Sequence, residues 1–287
     1  MTFQLPEDSQ SRPVTVIGGG TLGRRIALMF ASGGADTRIY DLSEQVRADA
    51  VSYVEHALPD VVAGRHGAVA GTVRGDGDLA TAVNQAWLVV EAIPERLELK
   101  TTVFGQLDRA VAADAILASN SSSYASRLMI DDVSHPERVL NMHFYMPPRQ
   151  NAVDLMSDGQ TDPAILTFLK EQLPRYGVFP FVAHQESTGF IFNRIWAAIK
   201  RESLAVVADG VSTPEDVDAM FQVNSGSSAG PFRMMDQVGL DVVLDIEDHY
   251  AAENPHLPEG PRKLLHEYVD AGNLGVKTGR GFYTYDR

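Results

Sequence analysis

Gly18-Gly19-Gly20-Thr21-Leu22-Gly23 is the stretch that most restricts what this chain can fold into. A G-x-G-x-x-G run by itself says little, because glycine-rich turns are common. Here it follows a short apolar run, Val14–Gly18, and opens a segment with helical spacing from Thr21 to about Ser32 (Leu22, Ile26, Ala27, Phe30). Strand, glycine turn and helix in that order start a βαβ unit. Gly18 permits the tight turn, Gly20 lets a diphosphate approach the backbone, and Gly23 lets helix and strand pack closely. The diphosphate then rests on the free amides at the helix start, around Thr21 and Leu22, and on the positive end of the helix dipole. Asp41 ends a second strand read over Thr37–Asp41, 18 residues beyond Gly23. An acid there accepts hydrogen bonds from the adenosine ribose and repels a 2′-phosphate. Arg38 and Arg47 are nearby, but neither directly follows Asp41. The pattern predicts NAD rather than NADP.

The rest of the first half repeats the alternation. Apolar runs at Trp87–Ile93, Ala115–Ala118 and Val139–Phe144 read as strands, with a helix from about Glu98 to Val111. Strands alternating with helices imply a parallel sheet, and hence an α/β, doubly wound Rossmann-type domain. The character changes after about residue 187. A long helical pattern over Gly189–Ala208 stops at Gly210. Ser212-Thr213-Pro214-Glu215 is a helix start, and further helices are read over Pro231–Tyr250 and Pro261–Val269. No strand is read there until the C-terminal GFYTY. The reading is therefore a polar tail over 1–12, a dinucleotide-binding domain over 13–186 and a smaller all-α domain over 187–287. At roughly 150 residues per domain, two domains also match the length of 287.

Composition removes several function classes. With 24 Lys+Arg against 38 Asp+Glu the net charge is −14, a poor match to a nucleic-acid backbone. There is no cysteine, which excludes disulfides, thiolate metal sites and a cysteine nucleophile, and suits a reducing, cytoplasmic setting. No metal site is read. No apolar run approaches the roughly 18 residues of a membrane span, and the N-terminus has no basic-then-apolar leader pattern.

His143 follows a strand in VLNMHFYMPP, and Asp154 lies 11 residues later in AVDLM. An imidazole suits removal of a hydroxyl proton as a hydride leaves carbon, and a carboxylate would orient it. On pattern alone, His143 is one of eight histidines and Asp154 a strand-end acid.

These stretches together resemble the 3-hydroxyacyl-CoA dehydrogenase family over residues 13–285. The matching motifs are VIGGGTLGRRIALMFASGG, VVEAIPERLELK, ILASNSSS, HFYMPP, VDLM, GFIFNR, GPFRMMDQVGLD and GVKTGRGFYTY, in that order. The resemblance implies an NAD-linked oxidoreductase of fatty acid metabolism, interconverting an L-3-hydroxyacyl thioester and its 3-keto form. It also implies a helical dimerising domain, a homodimer, and an active site between the two domains. Position by position, His143 matches the catalytic histidine. Ser122 matches the serine that bonds substrate and cofactor, Asn193 the asparagine near the reacting oxygen, and Glu95 and Lys100 cofactor-contacting positions. Without the resemblance, Ser122 reads as a turn residue, Asn193 as a polar helix residue and Lys100 as a solvated helix charge.

Three departures stand out. The family pattern places glutamate one position beyond Asp154, where this chain has Leu155, so the acid is one methylene shorter. The family's HFFNP becomes HFYMP, and Met146 replaces an asparagine that helps hold the nicotinamide end. The segment over residues 44–80 is short and carries Arg47, Arg65, Arg74 and His66 but no lysine, a thin clamp for CoA phosphates. That compact lid is similar to the L-gulonate dehydrogenase or lambda-crystallin branch. A free or carrier-bound 3-hydroxy acid is therefore the alternative substrate, and a non-catalytic NAD-binding protein the alternative class.

Overall fold

The computed structural model describes residues 3–286, in two compact units that meet in sequence at Phe190 and Ile191. The first is built on eight strands: β1 (Val14–Ile17), β2 (Asp36–Tyr40), β3 (Thr72–Asp76), β4 (Leu88–Glu91), β5 (Ile116–Ser119), β6 (Val139–Met146), β7 (Gln150–Ser157) and β8 (Phe179–Ala183). Their order across one sheet is β3-β2-β1-β4-β5-β6-β7-β8. The strands β1 to β6 run parallel, β7 turns back antiparallel to β6, and β8 runs parallel to β7. Five helices join them: α1 (Thr21–Ser32), α2 (Glu44–Ala63), α3 (Leu79–Val83), α4 (Leu97–Ala110) and, between β7 and β8, α5 (Pro163–Gln172).

The central strands are buried on both faces, which is why they read as continuous apolar runs rather than alternating ones. Val14, Val16, Leu88, Val90, Ile116 and Ala118 enter one core with Ile26, Phe30, Val54 and Leu169 from α1, α2 and α5. Ile17, Val89 and Leu117 enter a second with Phe104 and Leu107 from α4. In β6 the alternation is chemical. Leu140, Met142 and Phe144 enter the first core, which leaves Asn141, His143 and Tyr145 on the opposite face. Residues 3–12 do not hang free. Phe3 is buried in the first core, and Arg12 pairs with Asp114 and donates to the Gln85 and Ala86 carbonyls.

The second unit holds α6 (Phe192–Ala208), α7 (Pro214–Ser225), α8 (Pro231–Val238), α9 (Leu240–Glu253) and α10 (Gly260–Val269) around Leu204, Phe232, Met235, Leu240, Val243, Leu265 and Phe282. Two expectations need correction. The helix read over Pro231–Tyr250 is two helices, because Gly239 has φ +108° and turns the chain between α8 and α9. The C-terminal GFYTY is not a strand. Among the described residues it makes only an isolated bridge, Arg280 with Thr284. Its backbone is held instead by the buried Asp236 carboxylate, which accepts from the Phe282 and Tyr283 amides (3.0 Å each) and the Tyr285 hydroxyl (2.9 Å). Among the described residues no helix is long and apolar enough to cross a membrane.

Candidate active site

The register brings the ends of β1, β2, β4 and β5 level: Ile17 pairs with Tyr40 and Glu91, and Glu91 with Ser119. The strand order reverses between β1 and β4, and ligands of open α/β sheets bind off the strand ends at such a reversal. The glycine turn, Asp41, the loop after β4 and the loop after β5 all leave the sheet there.

The glycine turn suits a dinucleotide. Gly18 has φ +102°, and a Cβ on Gly23 would overlap the Gly18 carbonyl, so both positions require glycine. Gly20 is exposed, with no atom within 4 Å of where a Cβ would stand. The first turn of α1, at Thr21 and Leu22, has no side-chain cap and no acidic residue, whereas α2, α3, α5 and α7 are capped by Ser43, Asp78, Asp162 and Thr213. Its amides are open to an anion. Asp41 accepts the Gly19 amide on Oδ2 and the Ser43 amide on Oδ1, both at 2.9 Å, which fixes the half-buried carboxylate beside the turn.

A buried charge network shapes the loops after β4 and β5. Glu91 accepts from Lys100 (2.7 Å), the Ile93 amide (2.8 Å) and Ser119 (2.6 Å). Lys100 is 1% exposed; its ammonium also reaches Glu95 at 3.1 Å and the Ile93 carbonyl, so it is no solvated helix charge. Glu95 accepts from the Ser121 hydroxyl and the Ser123 amide, a bracket around Ser122. Burial pushes the Glu95 carboxyl up, but Ser121, Lys100 and the Ser123 amide outweigh it and hold it below its usual range. Ser122 itself is exposed and its hydroxyl makes no hydrogen bond among the described residues. Asn120 ties this loop to β6, accepting the Phe144 amide at 2.8 Å.

On β6, His143 is 6% exposed and stands directly across the ladder from Asp154 of β7. Its Nδ1 lies 3.3 Å from Asp154 Oδ2, which assigns the proton to Nδ1 and leaves Nε2 as the basic nitrogen. Phe190 stacks on the imidazole (centroids 5.0 Å, planes 5° apart), and Tyr145 meets it edge-on at 4.7 Å. The Tyr145 hydroxyl also donates to Asp154 Oδ2, at 2.6 Å. Asn193 lies outside this unit, half-buried in the first turn of α6.

Sequence reasoning missed Glu91, Ser119, Asn120, Tyr145 and Phe190. The polar alternation Asn141-x-His143-x-Tyr145 carried a signal for Tyr145. Phe190, a non-glycine residue at φ +52°, carried none.

A mostly parallel sheet with this glycine turn, this acid after β2 and a buried His–Asp pair defines a dinucleotide-dependent oxidoreductase. The sequence matches the 3-hydroxyacyl-CoA dehydrogenase NAD binding domain over residues 13–186 and the 3-hydroxyacyl-CoA dehydrogenase C-terminal domain over 189–285. It is 32% identical over 280 residues to 3-hydroxybutyryl-CoA dehydrogenase of Mycobacterium tuberculosis, spanning 95% of this chain and 98% of that one. It is 29% identical over 282 residues to 5-formyl-3-hydroxy-2-methylpyridine 4-carboxylate 5-dehydrogenase of Mesorhizobium japonicum, spanning 96% and 91%. The crystal structure of (S)-3-hydroxybutyryl-CoA dehydrogenase from Ralstonia eutropha matches with TM-score 0.84 at 27% identity, covering 96% of this chain and 100% of that one. The chain belongs to the 3-hydroxyacyl-CoA dehydrogenase family, and its cofactor is NAD.

Proposed function

We propose that this chain interconverts an L-3-hydroxyacyl-CoA and its 3-ketoacyl form, with His143 as acid and base. The observation that carries this reading is the register of β6 against β7, which buries an imidazole beside a carboxylate. NAD, when bound, accepts the hydride that leaves C3. In oxidation His143 Nε2 takes the C3 hydroxyl proton, and in reduction it returns it. Asp154 holds Nδ1–H and stabilises the imidazolium. Ser122, exposed in a braced loop, donates to the substrate oxygen, and Asn193 is carried over from the family match as a catalytic position. Gly18, Gly20, Thr21, Leu22, Gly23 and Asp41 hold the dinucleotide. Glu95, braced by Lys100, shapes the loop beside it.

The relatives named for CoA thioesters support a thioester substrate. One observation favours a second reading. The arginines of residues 44–80 are all engaged: Arg47 with the Asp41 carbonyl, Arg65 with Ser32 and the Tyr176 and Arg175 carbonyls, and Arg74 with Asp36 and Asp76. A free or carrier-bound 3-hydroxy acid needs no polyphosphate clamp. A substrate panel decides: NADH oxidation with acetoacetyl-CoA, and NAD reduction with 3-hydroxybutyryl-CoA, longer 3-hydroxyacyl-CoAs, L-gulonate and 3-hydroxybutyrate. Thioester turnover that His143→Ala abolishes supports the proposal. Turnover of free acids alone overturns the thioester, and unchanged activity in His143→Ala overturns the mechanism.

The reading includes a cytoplasmic homodimer acting in fatty acid metabolism. Val238 and Val242 of the second unit stay exposed beside core neighbours Met235 and Val243, apolar surface suited to a second copy. Light scattering that returns a monomer mass would refute the dimer.

A further inference from the structure

The His143–Asp154 contact is long for a charge-assisted hydrogen bond, 3.3 Å against about 2.7–2.9 Å. Asp154 is 3% exposed, so a mis-set carboxylate has no water to settle against. The χ2 torsion of aspartate is broad and would not fix the carboxylate by itself. Something else must hold Oδ2 in front of the imidazole.

Tyr145 does this. It sits two residues beyond His143 on the same face of β6, at a bulge where the register shifts between Phe144 and Met146, so that Asn151 and Ala152 both lie opposite it. Its hydroxyl donates at 2.6 Å to Oδ2, the same oxygen that His143 faces. Its ring edge lies against the imidazole at 72°, while Phe190 covers the imidazole with a stacked ring. The family pattern HFFNP has phenylalanine where this chain has Tyr145, and its glutamate falls one position beyond Asp154, where this chain has Leu155 and the shorter acid before it. Both differences fall on one hydrogen bond.

We propose that Tyr145 is a positioning residue for the reaction: its hydroxyl fixes the short Asp154 carboxylate so that it can orient His143. The proposal rests on the reading of His143 as the acid–base group. The tyrosine makes up in orientation what the aspartate lacks in reach.

The test is a cycle of Tyr145→Phe, Asp154→Ala and the double variant, read by kcat and KM on the thioester the wild type turns over. Tyr145→Phe keeps the ring and loses one hydrogen bond to a charged group. The expected result is a fall in kcat of about tenfold with KM changed by less than about twofold. In the Asp154→Ala background the same substitution costs less than about twofold, because its target is gone. Wild-type kcat in Tyr145→Phe, or an equal loss in both backgrounds, overturns the proposal. A second readout needs no substrate. Nitrogen-15 NMR of His143 at neutral pH is expected to show the Nδ1–H tautomer in the wild type and a mixture in Tyr145→Phe. An unchanged tautomer overturns the role of Tyr145 even if no member of the panel is turned over, an outcome that would separately refute the dehydrogenase reading.

Discussion

Replacing Lys100 with methionine tests how the loops around the candidate site are held. Methionine keeps most of the apolar stem and removes the ammonium. Glu91 is fully buried and would keep the Ile93 amide and the Ser119 hydroxyl but lose the Lys100 ammonium, now at 2.7 Å. Breaking a buried pair from one side costs about 3–5 kcal/mol, because a charge is left without its counterpart. At about 2–4 °C per kcal/mol for a unit of this size, the first unit should melt about 10 °C lower. Lys100→Met with Glu91→Gln removes both charges, so the double variant should recover most of that loss rather than add to it. Calorimetry is the assay, since two units need not unfold as one transition. NADH fluorescence titration reads the loops, because Glu95 loses the same cation. A melting temperature within a degree of wild type, or a double variant equal to the sum of the singles, would refute the reasoning.

Gly20 and Gly23 of the glycine turn should fail differently. Gly20→Ala should keep the melting temperature and weaken NADH binding, since its Cβ meets open space on the face proposed for the diphosphate, whereas Gly23→Ala should lower both, since its Cβ overlaps the Gly18 carbonyl. Phe190→Gly and Phe190→Ala should both slow turnover by removing the stacked ring. Phe190→Gly should be the more stable of the two by about 1 kcal/mol in denaturant titration, because glycine relieves the φ of +52°. Burial raises the Asp158 carboxyl above its usual value, against the pull of the Gln160 and Thr161 amides. The folded state therefore binds that proton more tightly than the unfolded one, so the group favours folding at low pH and loses that contribution as pH rises through its folded value. Asp158→Asn should raise the melting temperature at pH 8, with an advantage that shrinks as the pH falls through the raised folded-state value; an advantage that grows on acidification would contradict this.

The sequence made some of this architecture legible for physical reasons. The glycine turn could be read because backbone geometry demands glycine at Gly18 and Gly23, while Gly20 between them faces open space. The strands β1, β4 and β5 could be read because burial on two faces leaves an unbroken apolar run. By contrast β7 begins Gln150-Asn151 and carries Asp154 inward, so it looks polar, and β8 (FPFVA) contains proline and leaves Phe179 and Phe181 about half exposed, so it looks like a loop. His143 and Asp154 could each be named from their motifs, but not their apposition, which depends on a register that no local pattern encodes. Lys100 misled for a related reason. A lysine in the first turn of a helix is normally solvated, and only the tertiary placement of Glu91 at the end of β4 draws it inside.

The antiparallel return of β7 has a consequence for how this protein can change. His143 and Asp154 share a ladder, so the proposed acid–base pair depends on the length of the hairpin more than on its side chains. A single-residue insertion or deletion between Phe144 and Val153 that the bulge does not absorb would rotate every β7 side chain to the other face. Asp154 would then enter the core among Leu140, Met142 and Phe144, and Val153 or Leu155 would face the imidazole. Point substitutions in residues 147–149 should be tolerated. Length changes should be all-or-none unless they come in pairs or bring a compensating bulge, which makes this hairpin a poor place for gradual drift and a sharp place for functional loss.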